Sequence, residues 1–327
     1  MNGRPSHRGE ESPPASVAGG AAKTLTDREG HRFRLAPILC PICAVDDAKE
    51  LGWRGGSSQR EGRGVPTRIV RCRRCGLLYP NPFPYPEDSN ALYGDPEGYF
   101  AGHDEDHKIG SHRGLLRQLI DMSSAERPSL LDVGSGKGEN LHAARLEGIE
   151  DAVGLEFADA MVAFARDRYG ANVVTSTIED YSPGRTFDIV VLGAIIEHVH
   201  DPVSFIRRVV ELTSPGGIVF IDTPREPNLP TILGNFANRL RGRREVYNLA
   251  PTWVPYHVFG FNPRAMRKLL AQHGLEIEKV ILKHGNPRIP PGPGLRGRAG
   301  AWLGTQVIRI GNLTPLASNM FVWARRR

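Results

Sequence analysis

Four polar residues crowd into five positions of the stretch GAIIEHVHDP (193–202): Glu197, His198, His200 and Asp201. They follow FDIVVL (187–192), which is apolar except for Asp188. An imidazole titrates near neutral pH, and an adjacent carboxylate can orient or tune it. His198 is therefore the candidate general base, with Glu197 assisting. Asp201 followed by Pro202 has a different signature, that of a helix N-cap and first helical residue. His200 directly precedes that cap and is expected to face solvent.

A second group of residues lies in LLDVGSGKGENL (130–141), where Gly134, Gly136 and Gly138 follow an acidic strand end. Glycines there allow a tight turn and a close approach of backbone to ligand. The spacing is G-x-G-x-G, not the dinucleotide fingerprint G-x-G-x-x-G. Asp132 would repel a pyrophosphate at this place, but it suits a cofactor that presents an ammonium and a sulfonium. Glu156 ends the next strand, in VGLEFADAM (153–161), where a carboxylate can accept hydrogen bonds from two ribose hydroxyls. Phe157 beside it can stack on or wall an adenine. Together these residues describe a site for S-adenosylmethionine.

The chain has four cysteines, Cys40 and Cys43 in CPIC and Cys72 and Cys75 in CRRC. Paired C-x2-C knuckles can each give two thiolates to one tetrahedral zinc ion. Four thiolates close the coordination shell, so the expected Zn2+ is structural. It also leaves no free thiol for covalent methylation of pyrimidine carbon.

The elements that must position these groups alternate. Apolar strands at SLLDVG, DAVGLE, NVVTS, FDIVVLG and IVFIDT are separated by amphipathic helical stretches or turns. A helix capped by Asn262–Pro263 leads to the strand EIEKVILK, and NMFVWARR closes the chain. Continuous apolar strands in β-α-β units imply a parallel sheet with helices on both faces. The expected fold class is α/β, a doubly wound, seven-stranded, mainly parallel Rossmann-like sheet with a small N-terminal zinc ribbon. The expected division is a disordered N-terminal tail (1–34), the ribbon (35–82), a connector with N-terminal helices (83–128) and the cofactor-binding domain (129–327). Residues 224–260 read as an insertion without a clear element. A short amphipathic helix is expected around Leu303, Val307 and Ile310.

LLDVGSGKG, VGLEFADAM, FDIVVLGAIIEHVHDP and LTSPGGIVFIDTP, in this order, resemble the successive motifs of class I S-adenosylmethionine-dependent methyltransferases. The closest resemblance is to the group that includes the ubiquinone-biosynthesis O-methyltransferases, over roughly 107 to 325. It implies a sheet whose last strand is antiparallel. It implies that Asp132, Gly134, Gly136 and Gly138 surround the methionine part of the cofactor and Glu156 the ribose. It further places Thr177, Ile178 and Glu179 at the adenine, and Gly193 and Ala194 beside the sulfonium. Zinc-bearing sugar C-methyltransferases are similar in carrying a catalytic Glu-His pair at the place of Glu197 and His198, although GYFAGHDEDH (98–107) differs from their substrate-contact segment.

The acceptor is expected to be a small molecule, with O-methylation of a sugar, glycolipid or natural-product hydroxyl as the leading reading. Tyr93, Tyr99 and His257 are further acceptor-pocket candidates. An RNA methyltransferase and a sugar C-methyltransferase are the alternatives. The strand end GAIIEH is not the Asn/Asp-Pro-Pro-aromatic motif of adenine and glutamine N-methyltransferases. The net charge of +6 is clustered in NRLRGRR (238–244), PRIPPGPGLRGR (287–298) and the terminal RRR. Such clusters can hold a phosphorylated or nucleotide-linked substrate, RNA or an anionic lipid surface. No apolar run approaches the ~20 residues that span a bilayer, so peripheral membrane contact is the only kind foreseen and the cytoplasm is the default location. The acceptor atom and the oligomeric state stay open.

Overall fold

The computed structural model describes residues 23–58, 62–88, 105–284, 289–290 and 292–327. Its centre is a seven-stranded sheet of order β12-β13-β11-β10-β7-β8-β9. These strands are β7 (Leu130–Val133), β8 (Ala152–Glu156), β9 (Val173–Thr175), β10 (Phe187–Gly193), β11 (Thr213–Pro224), β12 (Leu275–Leu282) and β13 (Asn319–Arg326). Strands β7 to β11 run parallel, while β13 is antiparallel to both β11 and β12. The expected doubly wound sheet with an antiparallel last strand is thus present.

Strand alternation sorts the core into two layers. On β10, Ile189 and Val191 pack against α1 (Glu105–Met122), α2 (Glu139–Leu146) and α3 (Asp159–Tyr169) through Leu116, Leu119, Leu141 and Val162. The next residues in register, Val190 and Leu192, point the other way. They meet α4 (Pro202–Leu212) and α6 (Pro263–Ala271) through Phe205, Ile206, Met266 and Leu269. Period-2 side chains on a strand with apolar residues at every position require a helical layer on each face. Both α4 and α6 start as expected. Asp201 accepts from the amides of Val203 and Ser204, Asn262 from those of Arg264 and Ala265, and each is followed by Pro at the first helical position.

The N-terminal module is two small antiparallel sheets. One joins β3 (Ala48–Arg54), β4 (Thr67–Cys72) and β5 (Leu78–Pro80), and the other joins β1 (Lys23–Thr26), β2 (Arg32–Ala36) and β6 (Phe83–Pro86). The second corrects the expected tail: residues 23–34 belong to a hairpin fixed by burial of Phe33 and by pairing with β6. The module has no separate core. Cys40, Cys72, Cys75, Tyr79 and Phe83 lie in one apolar cluster with Phe259, Phe261 and Met266 of the large domain.

Two further expectations change. The segment 224–260 contains a helix, α5 (Leu229–Leu240), opened by an Asn228–Thr231 capping box that the sequence reading passed over. The last helix, α7, runs over Gly294–Asn312, and its Leu303 and Ile310 are exposed instead of facing the core. Among the described residues no helix is long and apolar enough to cross a membrane.

Candidate active site

Open α/β sheets bind ligands at the carboxyl ends of their strands, and the predicted residues gather there. The turn after β7 holds Gly134, Gly136 and Gly138 at φ of 71°, 53° and 82°. A Cβ at Gly138 would come within 2.8 Å of Ala165 Cβ, so there the left-handed turn and the close approach both require glycine. Asp132 is buried at the end of β7. Burial, then the nearby Glu139 and Glu156, push its carboxyl up to about 7, and Asn140 counters the shift. Glu156 is buried at the tip of the adjacent strand. Its Oε2 accepts from the Gly136 amide at 3.0 Å and its Oε1 from the Ala158 amide at 2.9 Å. Each carboxylate oxygen keeps acceptor capacity beyond these bonds. Burial raises Glu156 as well.

Two buried acids side by side without a basic partner make a site that a cationic ligand completes. A cofactor carrying an ammonium, a sulfonium and ribose hydroxyls fits that description. Phe157, the residue after Glu156, is 45% exposed. The loop after β9 comes alongside, since the Ser176 amide donates to the Glu156 carbonyl at 3.1 Å. In that loop Ile178 is buried in the core, whereas Thr177 and Glu179 are exposed, and the Thr177 hydroxyl bonds Asp180. Gly193 and Ala194 are exposed at the end of β10, and Ala194 has a φ of 51° and donates its amide to Asp222.

One turn further on, Glu197, His198 and His257 converge. Glu197 Oε1 lies 3.8 Å from His198 Nε2 and 4.0 Å from His257 Nε2, and the two imidazoles meet edge to face at 4.8 Å between centroids. The other oxygen of Glu197 accepts from the Thr223 hydroxyl at 3.0 Å. The Glu197 carbonyl accepts from the amides of Val258 and Phe259, which fastens the β10 loop to the segment that carries His257. Burial pushes Glu197 up to about 8. Burial, then the neighbouring His257, lowers His198 to about 3, and burial lowers His257 to about 4. Burial thus favours the uncharged form of all three groups, a protonated Glu197 and two free-base imidazoles. Such a group can accept and pass a proton, and its three ligand atoms, all within 4.8 Å of one another, could also hold one cation.

Several placements depart from the sequence reading. His200 does not face solvent; it is half-buried and meets Phe83 and Tyr85 edge-on, so it joins α4 to the N-terminal module. Tyr93 and Tyr99 lie outside the described residues. Thr223 and Asp222 were missed. Their signal was positional: they end β11, the strand beside the one that ends in Gly193.

The four cysteines also converge. Their Sγ atoms all lie within 4.8 Å of one another, with Cys40 and Cys75 at 3.7 Å. Tetrahedral zinc with bonds of about 2.3 Å would space its sulfurs by about 3.8 Å. Each knuckle closes by an amide donated to its first cysteine's carbonyl, Ala44 to Cys40 and Gly76 to Cys72, with the donor residue left-handed at 52° and 81°. Lys268 of α6 places its ammonium 3.2 Å from Cys43 Sγ, a cation facing a cluster that would carry net negative charge with zinc.

Residues 107–280 match the family model described as a methyltransferase domain. The chain belongs to that family and is a class I S-adenosylmethionine-dependent methyltransferase. The ubiquinone biosynthesis O-methyltransferase of Aliivibrio fischeri (strain MJ11) is 28% identical to it over 208 residues, 62% of this chain and 85% of the relative. The enzyme of the same description from Nitrosospira multiformis is 28% identical over 166 residues, 48% of this chain and 66% of its own. Among solved structures, a chain from the complex of the Haloferax volcanii Trm112 methyltransferase activator with a methyltransferase shares the fold. It superposes with a TM-score of 0.51 at 14% identity, over 71% of this chain and 97% of that one.

Proposed function

We propose that the methyltransferase methylates a hydroxyl of a small molecule, with His198 as the general base and Glu197 positioned to support it. The observation that carries this reading is the convergence of Glu197, His198 and His257 at the ends of β10 and β11, one turn beyond Gly193 and Ala194. When bound, S-adenosylmethionine supplies a methyl group on a sulfonium that a nucleophile can attack in line. Asp132 would hold its ammonium, Glu156 its ribose, and Phe157 with the 177–179 loop its adenine, while Gly193 and Ala194 leave room at the strand end. His198, a free base at neutral pH, would accept the hydroxyl proton as the new bond forms. Glu197, once ionised, would stabilise the imidazolium. The names of the curated relatives support oxygen as the acceptor atom.

The cysteine cluster is read as a structural zinc site and residues 35–82 as its ribbon. RNA is the weaker acceptor class, because the ribbon packs Tyr79 into the core and leaves Trp53 as its one large exposed ring among the described residues, few for base stacking. The convergence of three ligand atoms favours one second reading, a divalent cation that polarises the acceptor hydroxyl.

Labelled-methyl transfer into a metabolite panel, followed by mass spectrometry of the product, tests the reading. A labelled methyl ether is expected, and product on carbon or on RNA would contradict it. On the identified acceptor, His198→Ala is expected to lower turnover by about 10²-fold or more with cofactor affinity retained. Stimulation of the zinc-loaded enzyme by added Mg2+ or Mn2+ would favour the cation.

A further inference from the structure

The helices α5 and α7 turn apolar side chains outward. On α5, Ile232, Leu233, Phe236 and Leu240 are 37%, 44%, 58% and 73% exposed. Their spacing, i, i+1, i+4 and i+8, puts them on one face of the helix. On α7, Leu295, Trp302, Leu303 and Ile310 are 85%, 65%, 59% and 53% exposed, again at a helical repeat. The two helices pack against each other where Leu229 meets Gly311. Both helices therefore bring exposed apolar residues to the same region of the protein, outside their mutual contact. A soluble monomer rarely leaves so many large apolar side chains together on its surface.

Charge says what such a surface faces. No Asp or Glu occurs between Pro227 and Arg244, nor anywhere after Glu278. These two stretches hold thirteen Lys and Arg, while the whole chain is only +6, so the rest of the protein is net negative. Seven of the thirteen, Arg239, Arg241, Arg243, Arg244, Arg296, Arg298 and Arg309, lie on or just beyond the two helices and are exposed. No ion pair among the described residues engages them. A second copy of this surface would meet it with like charge. Apolar stripes with Trp, Phe and Leu, bordered by arginines and free of acids, match an interface between acyl chains and anionic headgroups.

We propose that the α5–α7 face docks the enzyme on an anionic lipid bilayer. The apolar residues enter the headgroup boundary and the arginines pair with lipid phosphates. The face adjoins the acceptor side of the cleft. Asn235 of α5 bonds the Tyr247 amide at 2.8 Å and Asn248 at 2.7 Å, in the segment that continues to His257.

Full-length enzyme sedimented with vesicles of phosphatidylcholine, with and without phosphatidylglycerol, tests the proposal. Binding is expected only with phosphatidylglycerol, weakening as salt rises. Phe236→Glu with Leu303→Glu, and separately Arg243→Glu with Arg244→Glu, should each weaken it by about tenfold or more. Each variant is expected to keep wild-type affinity for S-adenosylmethionine and the wild-type melting temperature, which shows that it folds and keeps vesicle binding separate from methyl transfer. No binding to phosphatidylglycerol vesicles at low salt would overturn the proposal. So would binding that survives loss of the apolar residues, as RNA-type charge binding would. A concentration-dependent dimer abolished by Phe236→Glu would overturn it in favour of a second copy.

Discussion

Burial moves the proposed base His198 and its neighbour Glu197 in opposite directions. Glu197 is raised to about 8, so it ionises only as the pH passes that value. An ionised carboxylate 3.8 Å away strengthens His198 as a base. Turnover is therefore expected to rise through about pH 8, and Glu197→Gln should remove that inflection from the kcat/KM profile while leaving cofactor affinity unchanged. An unaltered profile in the variant would assign the inflection to another group. His198 and Glu197 were legible from their types at the end of an apolar strand. The approach of His257 was not, because fifty-nine positions separate it from His198. Only the backbone bonds from Val258 and Phe259 to the Glu197 carbonyl bring it there.

The segment that carries His257 hangs on the ribbon. Leu78 of β5 and Gly260 exchange backbone bonds at 3.0 and 2.9 Å, Trp53 of β3 bonds Arg244 and Val246, and Arg54 donates to the Leu249 carbonyl. Segment 244–261, which carries His257, thus pairs with strands that the cysteine cluster would tie together. A buried carboxyl, Glu226, bonded by Asn248 and Thr231, fastens the start of the same segment. Removing zinc, or Cys40→Ser, is expected to abolish turnover while S-adenosylmethionine affinity by calorimetry falls by less than about threefold. Loss of both together would mean that the ribbon supports the whole fold. The knuckles and the Asp201 and Asn262 caps could be read from short motifs. The α5 capping box is just as local, but the β1–β2 hairpin could not be read, because its pairing is completed by β6, some fifty residues away.

At the scale of the whole molecule, five acids among the described residues sit above their ordinary range because they are buried: Asp132 at about 7, Glu156, Glu197 at about 8, Asp222 at about 6 and Glu226 at about 7. Each binds its proton more tightly in the folded state than in the unfolded one. Their contribution to stability is complete below the ordinary carboxylate range and is lost as pH rises through about 6 to 8. His198 and His257, lowered to about 3 and 4, work the other way, and their contribution is lost as pH falls below the ordinary imidazole value. The ligand-free protein is expected to melt at lower temperature as pH rises from about 6 to 8.5. The gain on adding S-adenosylmethionine should grow over the same range, as Asp132 ionises and meets its cationic partner. A gain independent of pH would remove Asp132 from the ammonium site.

Local chemistry was enough to mark the candidate cofactor half of this protein from sequence alone. A strand end, three glycines and two acids act within one β-α-β unit, and the β-α alternation repeats at short range. The four cysteines were equally legible, since each C-x2-C pair is a self-contained turn. Tertiary structure decided the rest. The acceptor wall, the fusion of ribbon and sheet into one core, and the outward turn of Leu303 and Ile310 all depend on contacts between segments tens to hundreds of residues apart. A helical repeat of apolar residues reads the same whether its stripe meets a core or solvent, and only the packing of the neighbouring elements distinguishes the two.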